Sequence, residues 1–140
     1  MDKNSICTVL CAAALFSAAS AGPAHAAGLT LGDLQGAWLG QETGCQTAFA
    51  FSGSKPAFKR PADAFVPAFI VSGDKLTTPL ASCRIRKMEE TEKGTRVTMA
   101  CANALSSAPV VTRFAFGRGY LLRISDSGVE TGYYNHCKRE

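Results

Sequence analysis

The feature that most constrains the fold of this chain is the stretch CRIRKMEETEKGTRVTMAC, which runs from Cys83 to Cys101. On both sides of the charged, glycine-containing centre EETEKG, apolar and polar residues alternate with a period near two, which predicts a β-hairpin. If Lys87 faces Val97, Cys83 lies directly opposite Cys101. Directly opposed residues of an antiparallel pair are close enough for a disulfide. The pattern therefore predicts a Cys83–Cys101 bridge across the hairpin.

The compartment decides whether such cysteines are oxidised, and the N-terminus indicates export. Lys3 precedes an uncharged apolar stretch over residues 6–19, and the tripeptide AHA ends at Ala26. This pattern is typical of a secretory signal peptide. The apolar stretch is shorter than the ~20 residues that span a bilayer, so we expect no membrane span. We expect residues 1–26 to be cleaved and residues 27–140 to form one periplasmic or secreted domain.

Four cysteines remain after this cleavage: Cys45, Cys83, Cys101 and Cys137. An even number of cysteines in a small exported domain predicts disulfides. No CxxC or CxC spacing occurs, and His136 and Cys137, as neighbours on a strand, would point to opposite faces. We therefore expect neither a metal site nor a cofactor. By elimination, the second bridge is Cys45–Cys137, which ties an early strand to the last one.

The remainder of the chain has the pattern of an all-β domain. Short apolar segments are separated by turn residues about every 8–12 positions, and residues 68–78 and 110–128 each read as a hairpin. We predict a small antiparallel barrel or compact sandwich of about seven to eight strands, meander-like and stapled by two disulfides. Residues 52–63, rich in Gly, Pro and Ser, are expected to form the longest loop, and Trp38 to plug one barrel end.

Several function classes find no support in the sequence. There is no nucleophile elbow, phosphate-binding loop or dinucleotide motif, and His136 has no obvious catalytic partner, so we predict that the protein is not an enzyme. The formal net charge is +4 and does not change when Asp2 and Lys3 leave with the signal. No Lys/Arg run resembles a nucleic-acid patch, so we expect no nucleic-acid partner.

Arginines provide the candidate binding residues. In the second hairpin, pairing Phe116 with Tyr120 would place Arg113 opposite Arg123, a like-charge pair that destabilises strands unless an anion screens it. If the two hairpins are neighbours, five arginines share one wall. This predicted arginine surface comprises Arg84, Arg86, Arg96, Arg113 and Arg123. Two interpretations remain open: a solvated face that prevents edge-to-edge strand pairing, or a binding surface for carboxylates or phosphates.

A set of short motifs extends over most of the exported domain. These motifs are Gly36-Ala37-Trp38, Ala68-Phe69-Ile70, Ala81-Ser82-Cys83-Arg84-Ile85, Ala100-Cys101 and a closing Tyr134 to Cys137. In them the chain resembles a group of small four-cysteine exported proteins of alphaproteobacteria, although the closing Tyr-Asn-His-Cys departs from the Tyr-x-Cys of that group. The resemblance implies structural features and no particular activity. The early GxW, the nearby cysteine and the stapled barrel also resemble calycin-like bacterial inhibitors of proteases and lysozymes.

We therefore predict a non-enzymatic binding or inhibitor-like module that recognises an acidic protein or an anionic glycan of the cell envelope. The alternative is a lipocalin-like carrier of a small ligand, which requires a cavity. Four phenylalanines are expected to point inward and to fill the barrel. They are Phe49, Phe51, Phe114 and Phe116. If the arginine surface binds nothing, the 52–63 loop is the next candidate; nothing in the sequence indicates an oligomeric state.

Overall fold

The computed structural model describes residues 28–40 and 44–138, which form eleven secondary-structure elements. The predicted signal peptide, residues 1–26, lies outside the described residues. In chain order the elements are β1 (Gly36–Gly40), α1 (Cys45–Ala48), β2 (Phe49–Ser52), β3 (Lys55–Phe58), β4 (Ala68–Ser72), β5 (Lys75–Thr77), β6 (Ala81–Thr91), β7 (Gly94–Asn103), β8 (Ser107–Gly117), β9 (Tyr120–Ile124) and β10 (Glu130–Cys137). Apart from the single turn α1 they are all strands, which confirms the all-β prediction.

Eight of these strands close into an antiparallel barrel in the order β1-β10-β9-β8-β7-β6-β5-β4. Strands β4 to β10 follow one another as a meander, and β1 closes the ring by pairing with β4 on one side and β10 on the other. The fold is therefore a barrel and not a sandwich. Strands β2 and β3 pair only with each other. We call residues 45–58, which contain α1 and this hairpin, the flap. Strand β3 lies within residues 52–63, so the prediction that this whole segment is a loop was wrong for β3.

The barrel interior is a packed apolar core, built from the side chains that point inward at every second position of each strand. Its buried residues are Leu34, Trp38, Phe69, Val71, Leu76, Cys83, Ile85, Val97, Met99, Phe114 and Leu121. The Trp38 ring stacks on Phe69 with 6.3 Å between ring centroids, and its Nε1 donates a hydrogen bond to the Leu34 carbonyl oxygen at 2.8 Å. Trp38 therefore fills the interior, in agreement with the predicted plug.

Strand β1 is buried on both of its faces, which explains its nearly continuous apolar sequence. Trp38 faces the barrel interior, whereas Ala37 and Leu39 belong to a second apolar cluster on the outside of the barrel. The flap covers this cluster with buried Phe49 and partly buried Phe51. The expectation that these two phenylalanines point into the barrel was wrong, because the chain between β1 and β4 folds back over the outer surface.

Each apolar cluster contains one disulfide. Cys83 and Cys101 are bonded across β6 and β7, where they are directly opposite each other next to the barrel core. Cys45 and Cys137 are bonded between α1 and β10, in the cluster beneath the flap. Both predicted pairings are confirmed. One bridge therefore staples a barrel hairpin, and the other ties the flap to the last strand.

The predicted register of the β6–β7 hairpin holds only in part. Ile85 lies opposite Met99 as expected, but the register then shifts, so that Lys87 lies opposite Thr98 and not Val97. This irregularity adds one residue to β6, as a β-bulge does. It brings the apolar Met88 opposite Val97, which is fully buried, where an unbroken register would have put a lysine.

Candidate functional site

The two arginine-bearing hairpins are neighbours, as expected, because β7 pairs with β8. In this pairing Arg96 lies directly opposite Arg113. Arg84 lies opposite Ala100, which is four residues, or about 13 Å, further along β7. The outer face of β6, β7 and β8 therefore carries three of the five predicted arginines, with Arg96 and Arg113 side by side. Arg86 is exposed at the β6 irregularity.

Arg123 does not lie opposite Arg113, and this part of the prediction was wrong. The β8–β9 turn is one residue shorter than expected, so Phe116 pairs with Leu121 and Arg113 with Ile124. Arg123 instead lies opposite Phe114, a buried residue of the barrel core. Paired residues share a face of the sheet and successive residues alternate. Arg123 is therefore on the opposite face of the sheet from Arg113.

Carboxylates of the same molecule pair with two of the five predicted arginines, Arg84 and Arg113. Arg84 Nη1 lies 2.8 Å from Asp74 Oδ2. Arg113, whose side chain is only 13% exposed, donates a hydrogen bond to the Asp126 carboxylate. This hydrogen bond, followed by the charge of Arg113, lowers the pKa of Asp126 below its ordinary value; the charge of Arg96 acts in the same direction. Arg84 and Arg113 thus have carboxylate partners already, whereas no ion pair is found for Arg86 or Arg96 among the described residues.

A different set of cations lies around the flap. A groove of about 730 Å³ lies between the flap tip and strands β1, β4 and β10, and a second of about 740 Å³ lies between β3 and strands β4 and β5. Apolar side chains contribute to both, with Phe51 in the first and Phe58 in the second. The cations that line the two grooves are Lys55, Lys59, Arg60, Lys75 and Lys138.

The two grooves meet at the flap. Pro56, Ile70 and Ser72 line both of them, so the grooves adjoin at these residues and form the two halves of one surface along β3. Pro56 and Ile70 are half-buried. We call this surface, with its five cations and the three shared residues, the flap track. Its centre is mainly apolar and its two ends are cationic.

The charges of the flap track differ from those of the arginine surface. No Asp or Glu among the described residues lines either groove. Within residues 28–40 and 44–138, none of the five track cations forms an ion pair; the pairs found involve Arg84, Lys87, Arg113 and Arg118. The flap track therefore gathers five cations that form no ion pair among the described residues; the nearby carboxylates Asp63 and Asp74 lie outside the two grooves.

The sequence contained part of the signal for this site. The segment SGSKPAFKRPAD, residues 52–63, carries three cations and a single carboxylate, Asp63, at its end. The sequence predicted this segment only as a loop, and as a binding surface only if the arginine surface binds nothing. Lys75 and Lys138 come from distant parts of the chain, and only the packing of the flap against the barrel brings them to the same surface.

His136 lies at the end of the barrel near Trp38. Its Nε2 is 3.1 Å from the Gln35 carbonyl oxygen, and its ring centroid is 4.6 Å from that of Trp38. The His136 ring is therefore packed against Trp38 at this end of the barrel. Over the described ranges, no three His, Cys, Asp or Glu side chains are grouped so that they could hold a metal ion.

Comparisons with known proteins give no further assignment. The chain matches no protein-family model, no curated protein and no solved structure. No helix in the described part of the chain has the length and apolar character needed to cross a bilayer.

Proposed function

We propose that this protein is a non-enzymatic binding or inhibitor-like module of the periplasm or the extracellular space, and that it recognises an acidic protein or an anionic glycan of the cell envelope. The flap track is its recognition surface. The observation that carries the proposal is the gathering of Lys55, Lys59, Arg60, Lys75 and Lys138 around two grooves that no described carboxylate lines.

Electrostatics favour the flap track over the arginine surface. A cation that already has a carboxylate partner gains little from a second anion, because binding must first disrupt or share the existing pair. Arg84 and Arg113 are in that position. Lys55 and Lys59 are exposed and have no ion-pair partner among the described residues, so their charge is available to an anionic ligand. Recognition through the flap track therefore costs no internal ion pair.

The arrangement of the flap also supports a recognition role. The Cys45–Cys137 disulfide and the apolar cluster beneath the flap hold the hairpin against the barrel, so its side chains are partly ordered before a ligand binds. Such preorganisation reduces the entropy lost on association. Two disulfides are also what a small domain in an oxidising compartment uses.

The barrel interior favours surface recognition over the carriage of a small ligand. Phe69 packs against Phe114 and Tyr134 inside the barrel, with centroid distances of 5.9 and 5.0 Å. Trp38 and Leu121, 4% and 0% exposed, occupy the same core. A carrier binds its ligand in an open cavity of several hundred Å³. The described grooves around the flap have that size, but they lie on the outer surface.

The proposal is tested by capture from envelope extracts with three immobilised proteins: the wild type, a flap variant and a control. The flap variant is Lys55→Ala/Lys59→Ala, and the control is Arg84→Ala/Arg86→Ala. We expect the wild type and the control to retain the same acidic component, and the flap variant to lose it. Retention should weaken as salt rises, because exposed charges are screened over about 8–10 Å at physiological ionic strength.

The three proteins separate the competing interpretations. Loss of capture in the control alone would assign binding to the arginine surface. Capture by all three that does not depend on salt, or no capture by the wild type, would contradict recognition of an anionic partner. Both variants should have a denaturant midpoint of unfolding close to that of the wild type, because exposed charges contribute little to stability.

A further inference from the structure

We infer that the flap track binds an extended acidic peptide segment whose central residues are apolar. This inference rests on the proposed function and narrows it to one class of ligand. It follows from the order of chemistry along the track, which is cationic at one end, apolar in the middle and cationic at the other end.

The spacing of the cations fits an extended peptide. Lys55 begins β3 and Lys59 follows its last residue, so the two positions are about 13 Å apart along an extended backbone. Carboxylates at positions i and i+4 of an extended ligand have the same separation. Lys138 lines the groove that contains Lys55, and Arg60 and Lys75 line the groove that contains Lys59. Each end of the track therefore offers more than one cation to a carboxylate.

The middle of the track selects for apolar side chains. Pro56 and Ile70 are half-buried and line both grooves, with Phe51 and Phe58 on either side. Burying apolar surface of this kind is favourable only when the ligand presents apolar surface in return. An anionic glycan has charged and hydroxyl groups along its length and would leave this floor hydrated. A peptide with small apolar residues between its acidic ends would cover it.

This surface is suited to binding the peptide through side-chain contacts and not by pairing with it as an added strand. Strand β3 is only four residues long, and its second residue, Pro56, has no backbone N–H to donate. Recognition by strand addition depends on a row of main-chain hydrogen bonds. The edge of β3 offers few of them, so the specificity of the track lies in the spacing of its cations and in its apolar centre.

The test uses fluorescence anisotropy of two labelled peptides, EEVPVEE and EESPSEE, with the protein that has lost its signal segment. The peptides have the same charges at the same positions and differ only in the apolar centre. We expect EEVPVEE to bind about tenfold more tightly at low salt, as two buried small apolar groups would give. Ile70→Ala and, independently, Pro56→Ser should reduce this ratio to about two or less. Lys55→Ala/Lys59→Ala should weaken binding of both peptides at least tenfold.

The binding of EESPSEE serves as the control for folding, because it depends on the cations and not on the apolar centre. Equal affinity of the wild type for the two peptides would overturn the inference, as would tighter binding of dextran sulfate at the same charge concentration. Either result would leave recognition of anions standing. No binding of any of these probes would also overturn the inference, and the envelope capture experiment would then decide the proposed function separately.

Discussion

The barrel and the flap are built differently, although both are made of short antiparallel strands. The barrel closes on itself through eight strands and has its own buried core, with a disulfide beside it. The flap has two strands that pair only with each other, and it depends on the smaller cluster beneath it and on the Cys45–Cys137 bridge. Because β1 pairs directly with β4 and β10, the hydrogen-bonded ring of the barrel is complete without the flap.

The two regions also differ in their charges. On the barrel, Arg84 and Arg113 are paired with Asp74 and Asp126. Around the flap, the described cations have no such partners. A region with few buried contacts has low local stability, and binding surfaces are commonly found in such regions. We therefore expect most of the stability to come from the barrel, and the unpaired cations support the proposed recognition role of the flap.

The largest expected effect comes from removing each disulfide in turn by substitution to alanine. Cys45 and Cys137 are separated by 92 residues, and Cys83 and Cys101 by 18. In the chain-entropy model, losing the longer loop costs about 4–5 kcal/mol of unfolding free energy and losing the shorter one about 3 kcal/mol. Urea titrations should therefore show a larger loss for Cys45→Ala/Cys137→Ala. If this pair gave the smaller loss, the flap would be detaching before the barrel unfolds.

In a second pair of variants, one buried phenylalanine of each region is replaced by alanine. Phe114 is 5% exposed in the barrel core and Phe49 is 2% exposed beneath the flap. We expect Phe114→Ala to cost about 3–5 kcal/mol of global stability. Phe49→Ala should cost less than this, because the flap cluster is small and can open while the barrel stays folded. Equilibrium urea unfolding measures both values.

Hydrogen exchange distinguishes local from global opening in the same two variants. Phe49→Ala should accelerate exchange in β2 and β3 and leave the strands β6 to β8 protected, whereas Phe114→Ala should accelerate exchange in the barrel as well. Faster exchange across the barrel in Phe49→Ala would mean that flap and barrel form one cooperative unit, and would contradict the division proposed above.

The barrel was the more predictable of the two regions from sequence. Alternation of apolar and polar residues and a charged turn predicted the β6–β7 hairpin, and its register placed Cys83 opposite Cys101, as the structure confirms. These are local signals within 19 consecutive residues. The irregularity after Ile85 was not predicted, because alternation specifies the face of each residue and does not reveal where one extra residue enters.

The β8–β9 turn shows that one residue more or less in a turn changes which side chains share a face of the sheet. The sequence GRG suggested a three-residue turn, but the structure has the two-residue turn Arg118-Gly119, with Arg118 at a φ of 55° and Gly119 at 82°. A shift of one residue in register moves a side chain to the other face of the sheet. This removed Arg123 from the predicted arginine surface, and no local pattern distinguished the two turns.

The flap was the less predictable region because its position depends on distant pairings. Phe49 and Phe51 alternate with alanine as in a barrel strand. Their location outside follows from the direct pairing of β1 with β4, which closes the ring and excludes the intervening chain. The same topology brings Lys138 near Lys55, a proximity that requires the whole fold.

The smallest expected effect is on the pH dependence of stability. It should come from an ion pair of a barrel arginine and not from the unpaired cations of the flap. The hydrogen bond from Arg113 lowers the pKa of Asp126, and a hydrogen bond from Lys87 is the main cause of a lowered pKa at Glu89. A carboxyl group whose pKa is lower in the folded protein stabilises the fold above its unfolded pKa of about 4. That stabilisation is lost as the pH falls through the folded pKa. Because Asp126 is 94% exposed, solvent screens the interaction and the contribution is small.

Replacing Asp126 with Asn should therefore lower the urea midpoint slightly at pH 7, and the difference from the wild type should narrow as the pH falls to 3. Lys55→Ala/Lys59→Ala removes no carboxylate, so this flap variant should keep the pH dependence of the wild type. Ser127→Ala, in the same turn as Asp126, keeps the carboxylate and should do the same. If Asp126→Asn differed from the wild type by the same amount at both pH values, the Arg113–Asp126 pair would not contribute to stability. Arg113 would then be as free to bind an external anion as the cations of the flap, and the electrostatic difference between the two regions would rest on the Arg84–Asp74 pair alone.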